Sequence, residues 1–534
     1  MANFNNISKH CFLVAIFLIL VAKGSNAQYL FQKQFTYSDY TTFTSGIVLN
    51  TNQIYLFGNS LNNTATYRSN EFIKIDAVGD VLNARKFAFN DSSTMLDIKG
   101  VCNFDNTISV AGHTSAFIAD IGFIKMDTSG TVLNSFKITL PLDDNFSRII
   151  ATKDSGNLIT GYINSPMNDG PAKGTAIKTD RFGNVEWMRQ YGYNGRTAIV
   201  DAVQKPNGNY LLFGNTTDFS DTIDFYNCDL VILETDPLGE IIQSQIFQTS
   251  APDVAYKIME SGNGGYFLAI MTGAFNAIQK QELVLMETDS MFNTIWANRY
   301  MGFSTGVGNN YFGYVIKTFE GGILFSDGFR AINTDSVGTI LWQKFIYYPN
   351  LFSYFDAFEY FGQSYFFLGT SAVSISSLPR SGFLVQTDTL GSTICNQNNI
   401  ANIFANSVSI NFQTHFYADS ILQPVVYAGA FSDTISIIEN IVCSGYVSDQ
   451  LLDKPNEFIH VFPTIVDDMI TVSFSNNETG RVSLYNVNGQ QVVSDLEFSN
   501  SLNLNIYTDL IYPGLYFLVI NTSHSTSSFK FVKK

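Results

Sequence analysis

Seven times along this chain an apolar run ends in Asp and a second apolar run begins a few residues on, with Gly three residues after the Asp in six of the seven copies. The copies start at Asp76, Asp127, Asp180, Asp236, Asp289, Asp335 and Asp388, and successive Asp residues lie 51, 53, 56, 53, 46 and 53 apart. The local chemistry is that of a hairpin turn. The Asp side chain accepts a backbone N–H two residues on, and Gly supplies the positive φ that closes a short loop. The fifth copy has Phe292 where the others have Gly, followed by Asn293. Asn tolerates the left-handed region, so the sequence predicts that this turn shifts by one residue.

A second signature precedes each turn: a short apolar strand that ends near Gly, as in Ile54-Tyr-Leu-Phe-Gly58 and Tyr210-Leu-Leu-Phe-Gly214. Two further strands complete each unit, and Trp187, Trp296 and Trp342 occupy matching places on the strand after the turn. Four short strands in about 50 residues is the period of a propeller blade. A β-helix coil is much shorter, and a sandwich domain needs roughly twice that length. The expected fold is all-β: a seven-bladed β-propeller over residues 28–395. Leu30-Phe-Gln-Lys33 matches Leu341-Trp-Gln-Lys344, so the first strand is expected to complete the seventh blade and close the ring.

On the Gly-Tyr strand, the Asp-x-x-Gly turn and the Trp strand, residues 28–395 resemble the secreted and outer-surface β-propeller repeat proteins of Bacteroidetes. Asn207-Gly-Asn-Tyr210 and Asp180-Arg-Phe-Gly-Asn-Val-Glu-Trp187 carry the likeness. The resemblance implies a fold and an address. Propellers host binding, scaffolding and catalysis alike.

Composition agrees with a packed β protein. Hydrophobic residues make up 46% and charged residues 14% of the 534, the reverse of a disordered chain. The net charge of −16 repels phosphate backbones and argues against nucleic acid as a partner. Lys9 and His10 precede a short apolar run from Cys11 to Ala22, and Ser25-Asn26-Ala27 has small residues where a signal peptidase cuts. Residues 1–27 therefore read as a signal peptide cleaved between Ala27 and Gln28. Export puts the remaining cysteines in an oxidising compartment. Cys395 and Cys443 bracket one segment outside the repeats and are the expected disulfide, while Cys102 reads as a buried apolar thiol.

After the repeats, residues 396–450 form a β-rich connector and residues 451–457 a linker around Pro455. Residues 458–534 alternate apolar and polar positions between Asn-Gly and Pro-Gly turns, the pattern of a small Ig-like β-sandwich. Pro463, Leu484-Tyr485 with Asn488-Gly489-Gln490, Gly514-Leu-Tyr516 and the terminal Lys530-Phe-Val-Lys533-Lys534 occur in order. On these residues the segment is similar to the type A C-terminal sorting domain of the type IX secretion system, although Pro463-Thr464-Ile465 departs from the usual Pro-Asn-Pro opening. The resemblance implies the type IX machinery as partner, passage through the periplasm, and a secreted or outer-membrane-surface location.

No catalytic constellation stands out. The five His are scattered, and His113, at a strand end, reads as structural. Asp218, Asp221, Asp224 and Asp229 cluster in the longest insertion. Asp218, Asp221 and Asp224 are the candidate Ca²⁺ ligands, but without a Gly-anchored calcium loop a solvated acidic loop is the favoured reading. No other cofactor is implied. The blade-to-blade loops 140–148, 192–196, 301–310 and 347–354 carry aromatic and polar side chains suited to a glycan or protein ligand. The expected function is non-catalytic recognition or adhesion. A polysaccharide-active enzyme using loop carboxylates and a structural envelope protein are the alternatives.

Overall fold

The computed structural model describes the strands and most turns between Gln28 and Lys533; residues 1–27, 62–67, 165–170, 219–227, 274–281, 302–313, 373–379, 448–458, 487–490 and other short stretches lie outside the description. Tyr29–Tyr446 form one compact unit and Val447–Lys534 belong to a second. Every regular element described is a strand.

The larger unit is built from seven similar four-stranded antiparallel sheets. In the first, Tyr40–Asn50, Gln53–Leu61, Arg68–Ile75 and Val81–Phe89 pair in chain order. Sheets two to six repeat this plan through residues 95–139, 143–191, 197–247, 253–301 and 314–346. The seventh takes Leu351–Tyr360, Ser364–Ala372 and Arg380–Asp388 from its own repeat. Its fourth strand is Gln28–Thr36, antiparallel to Arg380–Asp388 with Gln32 opposite Val385. A parallel bridge between Tyr40 and Arg380 ties this sheet to the first.

Middle strands such as Tyr210–Thr216 and Asp229–Thr235 are buried at every position, because both faces of the sheet are covered. Fourth strands such as Val185–Tyr191 keep exposed positions on their outer side. Consecutive sheets share apolar layers. Leu211 and Phe213 of the fourth pack with Leu268 and Ile270 of the fifth, and Phe43 of the first packs with Phe358 and Phe366 of the seventh. Each such aromatic contributes about 1.5–3 kcal/mol by leaving water.

The seven Asp residues all make the same turn. Oδ1 of Asp76 accepts the N–H of Val78 at 3.0 Å and of Asp80 at 2.9 Å. Asp127, Asp180, Asp236, Asp289, Asp335 and Asp388 each accept the equivalent two N–H groups. The fifth turn corrects the sequence reading. It does not shift onto Asn293; Phe292 itself takes φ +66° and donates its N–H to the Asp289 carbonyl at 3.1 Å. The Phe292 ring is buried and stacked on Tyr266 with centroids 5.4 Å apart, which offsets the cost of the conformation.

The connector has a partner for every strand. Gln397–Asn399 pairs with the last strand of sheet six, Phe404–Ser407 with that of sheet five, and Gln413–His415 with that of sheet four. Asp419–Ile421, Val425–Ala428 and Ala430–Thr434 follow on sheets three, two and one. Ile438–Val447 then pairs with Gln28–Thr36 of sheet seven. The segment thus visits the sheets in reverse order and covers an outer edge of each.

The second unit is a single six-stranded sheet that curls around its own core of Val472, Phe474, Leu484, Phe498, Leu518 and Phe531. The structure has one long strand, Met469–Asn486, which pairs with Ile459–Phe462 and Gly514–Thr522 at its two ends and with Gln491–Tyr507 along it. Ile465–Val466 runs parallel to Thr526–Lys533.

Candidate functional site

In the first strand of six sheets, the ladder to the second strand slips and then resumes. The residues that resume it are Ser45, Lys99, Arg148, Asp201, Lys257 and Asp356. Tyr314 opens the ladder at the equivalent place in sheet six. Each first strand therefore offers one polar side chain at a matching position, and in six of the seven a bulge marks it out from the apolar alternation.

Five of these positions line or pair across one cavity of about 490 Å³, whose walls include Ser45, Lys99, Arg148, Lys257 and Asp356. Asp201, fully buried, lies 3.4 Å from Nε of Arg148 and 3.1 Å from Nζ of Lys257, and it accepts the Ile258 N–H at 3.0 Å. Asp356 lies 3.7 Å from Nζ of Lys99 and accepts the N–H groups of Gly46 at 3.4 Å and Ala357 at 3.0 Å. Lys99 also donates to the Thr44 carbonyl at 2.7 Å. Burial pushes the Lys99 and Lys257 ammonium groups below the usual lysine range; Asp356 and Asp201 oppose that shift and Arg148 reinforces it. The neighbouring Tyr256 phenol is pushed up by burial.

The cavity walls come from the C-terminal halves of the first strands, 45–48, 99–102, 148–151 and 356–358. These halves run into the short turns between first and second strands. Of the loops that the sequence nominated for ligand binding, 140–148 overlaps the strand Asp143–Ala151 and ends at Arg148 on the cavity wall, whereas 192–196 joins the fourth strand of sheet three to the first strand of sheet four, at the opposite strand ends.

Asp218 is committed to that loop end as a structural cap. Its carboxylate accepts the N–H of Tyr193 at 2.9 Å and of Gly195 at 2.5 Å, and the hydroxyls of Thr197 and Thr216 at 3.0 and 3.2 Å. Asp221 and Asp224 lie outside the described residues. Asp229 is buried at the start of a strand, and no cluster of metal-ligating side chains occurs among the described residues. His113 places Nδ1 3.9 Å from the Asp97 carboxylate, away from the cavity walls.

Cys102 and Cys228 are free thiols. Cys228 is buried, as an apolar thiol would be; Cys102 is only partly buried and lines the cavity, which corrects its reading as a core residue. Cys395 lies outside the described residues, and of Cys443 only the backbone, in Ile438–Val447, is described. Among the sorting-motif residues, Tyr516 stacks on Phe531 with centroids 5.7 Å apart, Gly514 opens a strand, and Lys533 closes one. Pro463, Gly489 and Lys534, like Ala27, lie outside the described residues.

Residues 460–534 match the family described as the secretion system C-terminal sorting domain. The protein is thus β-rich, repeat-containing and exported, with a domain that engages the secretion machinery. No curated protein matches the chain. Among solved structures, a candidate gluconolactonase aligns at 10% identity and TM-score 0.27, over 50% of this chain and 84% of its own. A GH43_12 protein from a capybara gut metagenome aligns at 10% identity and TM-score 0.28, over 84% and 91%. A tetra-tandem repeat from the extending region of a large adhesion protein aligns at 11% identity and TM-score 0.12, over 93% and 100%. None of these scores carries an argument about function.

Proposed function

We propose that the chain is a seven-bladed β-propeller carried through the periplasm by the type IX secretion system to act in recognition at or beyond the outer membrane, most simply as an adhesin or glycan binder. Closure is supported by the pairing of Gln28–Thr36 with Arg380–Asp388 and by the circuit of the connector. The recognition reading rests on one contrast between the two ends of the sheets. At one end the turns between third and fourth strands have a constant length and a constant Asp cap, residues 76–80, 127–131, 180–184, 236–240, 289–293 and 335–339. At the other, the connections between second and third strands range from residues 327–329 to residues 217–228. A rigid frame with variable loops on one side is the arrangement on which binding surfaces are built.

A polysaccharide-active enzyme needs a carboxylate able to exchange a proton or attack a sugar. Asp356 is held by two backbone N–H groups and faces Lys99, and Asp201 is held by one backbone N–H and faces Arg148 and Lys257, which favours recognition over catalysis. The test is a glycan array probed with the exported chain, alongside attachment assays on a deletion strain. Binding without new reducing ends supports the proposal. Release of reducing or unsaturated ends favours the enzyme, and no ligand with altered envelope layers on deletion favours a structural part. Removing residues 458–534 should leave the chain in the periplasm; unchanged secretion would refute the sorting role.

A further inference from the structure

We propose that the cavity between the first strands is a binding site for a small organic oxyanion, held by Lys99, Arg148 and Lys257. This site is separate from the loop end. It stands or falls independently of any glycan recognised there.

Charge carries the first part of the argument. Lys99, Arg148 and Lys257 converge on one cavity whose wall holds a single carboxylate, Asp356; Asp201 lies behind it, within 3.4 Å of Arg148 and 3.1 Å of Lys257, and the Asp97 charge also acts on Lys99. Asp356 and Asp201 are occupied by backbone N–H groups as well as by cations. Arg148 reaches Asp201 through Nε at 3.4 Å, which is long for a hydrogen bond. A guanidinium has five N–H donors in a planar fork that matches two oxygens of a carboxylate or phosphate. Burial and the proximity of Arg148 disfavour the charged forms of both lysines, and an anion placed among them would reverse that penalty.

Size and position complete it. The cavity of about 490 Å³ falls within the range of small-molecule sites, about 300–1,000 Å³. The Ser45 hydroxyl, which accepts the Gly100 N–H at 3.1 Å, and the Phe358 ring give the wall both a polar and an apolar surface. A monosaccharide acid or a sugar phosphate has this combination of an anionic group and a compact body. Six of the seven equivalent positions reach the ladder through a slip, so the polar side chains there form a repeated device.

The experiment is titration calorimetry on the exported chain with glucuronate, glucose 6-phosphate and glucose at low salt. At least one of the two anions should bind and glucose should not; which anion binds assigns the carboxylate or the phosphate form. Arg148→Gln and Lys257→Met should each weaken that binding roughly tenfold or more, with circular dichroism unchanged. Neither anion binding, glucose binding as well as the anions, or an unchanged affinity in folded Arg148→Gln would overturn the proposal. If the variants do not fold, the wild-type pH profile decides. Affinity should fall as pH is raised toward the lysine range, because bound anion favours protonated lysines and burial holds Lys99 and Lys257 below the usual lysine range, and a flat profile overturns the site.

Discussion

The Lys33 ammonium lies 2.6 Å from the Asp80 carboxylate, joining the N-terminal strand to the turn of the first sheet. The same relation links other neighbours: Arg189 reaches Glu240 at 3.1 Å and Lys344 reaches Ser392 at 2.9 Å. Phe31 completes the parallel. A Cβ added at Gly79 would lie 2.5 Å from its ring, as one at Gly391 would lie 2.7 Å from Trp342. The turn glycines thus serve twice, taking positive φ and leaving room for the aromatic of the preceding sheet. Phe31→Ala should cost about 3–5 kcal/mol, comparable to Trp342→Ala. Chemical denaturation of the exported chain checks this, and a loss under about 1 kcal/mol would show that the N-terminal strand contributes no interior packing.

The capped turns should be sensitive to both substitution and acid. Asp236→Ala removes the acceptor of two N–H groups and should cost about 1 kcal/mol, while Asp236→Asn, which keeps an acceptor oxygen, should cost less than half of that. At Asp127 and Asp180 burial raises the carboxyl pKa, but side-chain bonds from Ser129 and Asn184 and backbone N–H groups outweigh it and hold both low. At Asp289 the Asn293 side chain does the same on an exposed group. Depressed carboxylates bind fewer protons folded than unfolded. Their stabilisation is therefore complete above about pH 4 and lost as pH falls through the folded values. Melting temperature followed from about pH 6 to about pH 3 should decline, less steeply in Asp180→Asn.

Phe292 sets two effects against each other. Glycine there would relieve the left-handed conformation, a gain of about 1–2 kcal/mol. It would also remove a buried ring stacked on Tyr266, a loss of about 3–5 kcal/mol. Packing wins, and Phe292→Gly should destabilise the chain by about 2–3 kcal/mol. A neutral or stabilising result in equilibrium unfolding would show that backbone strain dominates at this turn.

The thiols offer a chemical check. Burial pushes both Cys102 and Cys228 up to about 12, so neither should be nucleophilic at neutral pH. Native protein should label slowly with a thiol reagent, and denatured protein should show two thiols if Cys395 and Cys443 are joined as we propose. Peptide mapping without reduction would find 395 linked to 443; four reactive thiols would refute the link.

Legibility in the sequence followed the range of each interaction. The Asp turns were readable because an Asx cap and a positive-φ Gly act within five residues, as at Asp236 and Gly239. The role of the N-terminal strand was readable because Leu30 to Lys33 repeat a neighbour's residues. Phe292 misled because its ring is anchored by Tyr266, a contact no turn rule contains. The polar set at the cavity was missed for a different reason. One Lys, Asp or Arg inside an apolar strand reads as noise until the first strands of sheets two to six are aligned on the residue three before the pair closing each ladder, as Lys257 precedes Glu260 and Arg148 precedes Ala151. That alignment was available in the sequence. The partners of the connector strands were not, since three-residue strands such as Asp419–Ile421 have no pattern that names a distant edge.

That connector bears on how the protein is made. Its strands come after the last repeat in synthesis order, yet they seal every earlier sheet, and the sorting domain is translated only after them. A ribosome that stops early releases a chain with bare strand edges and no sorting domain. A full-length product has both the seal and the pass. Linear order along the gene thereby couples completion of the body to permission to leave the cell, without a separate inspector.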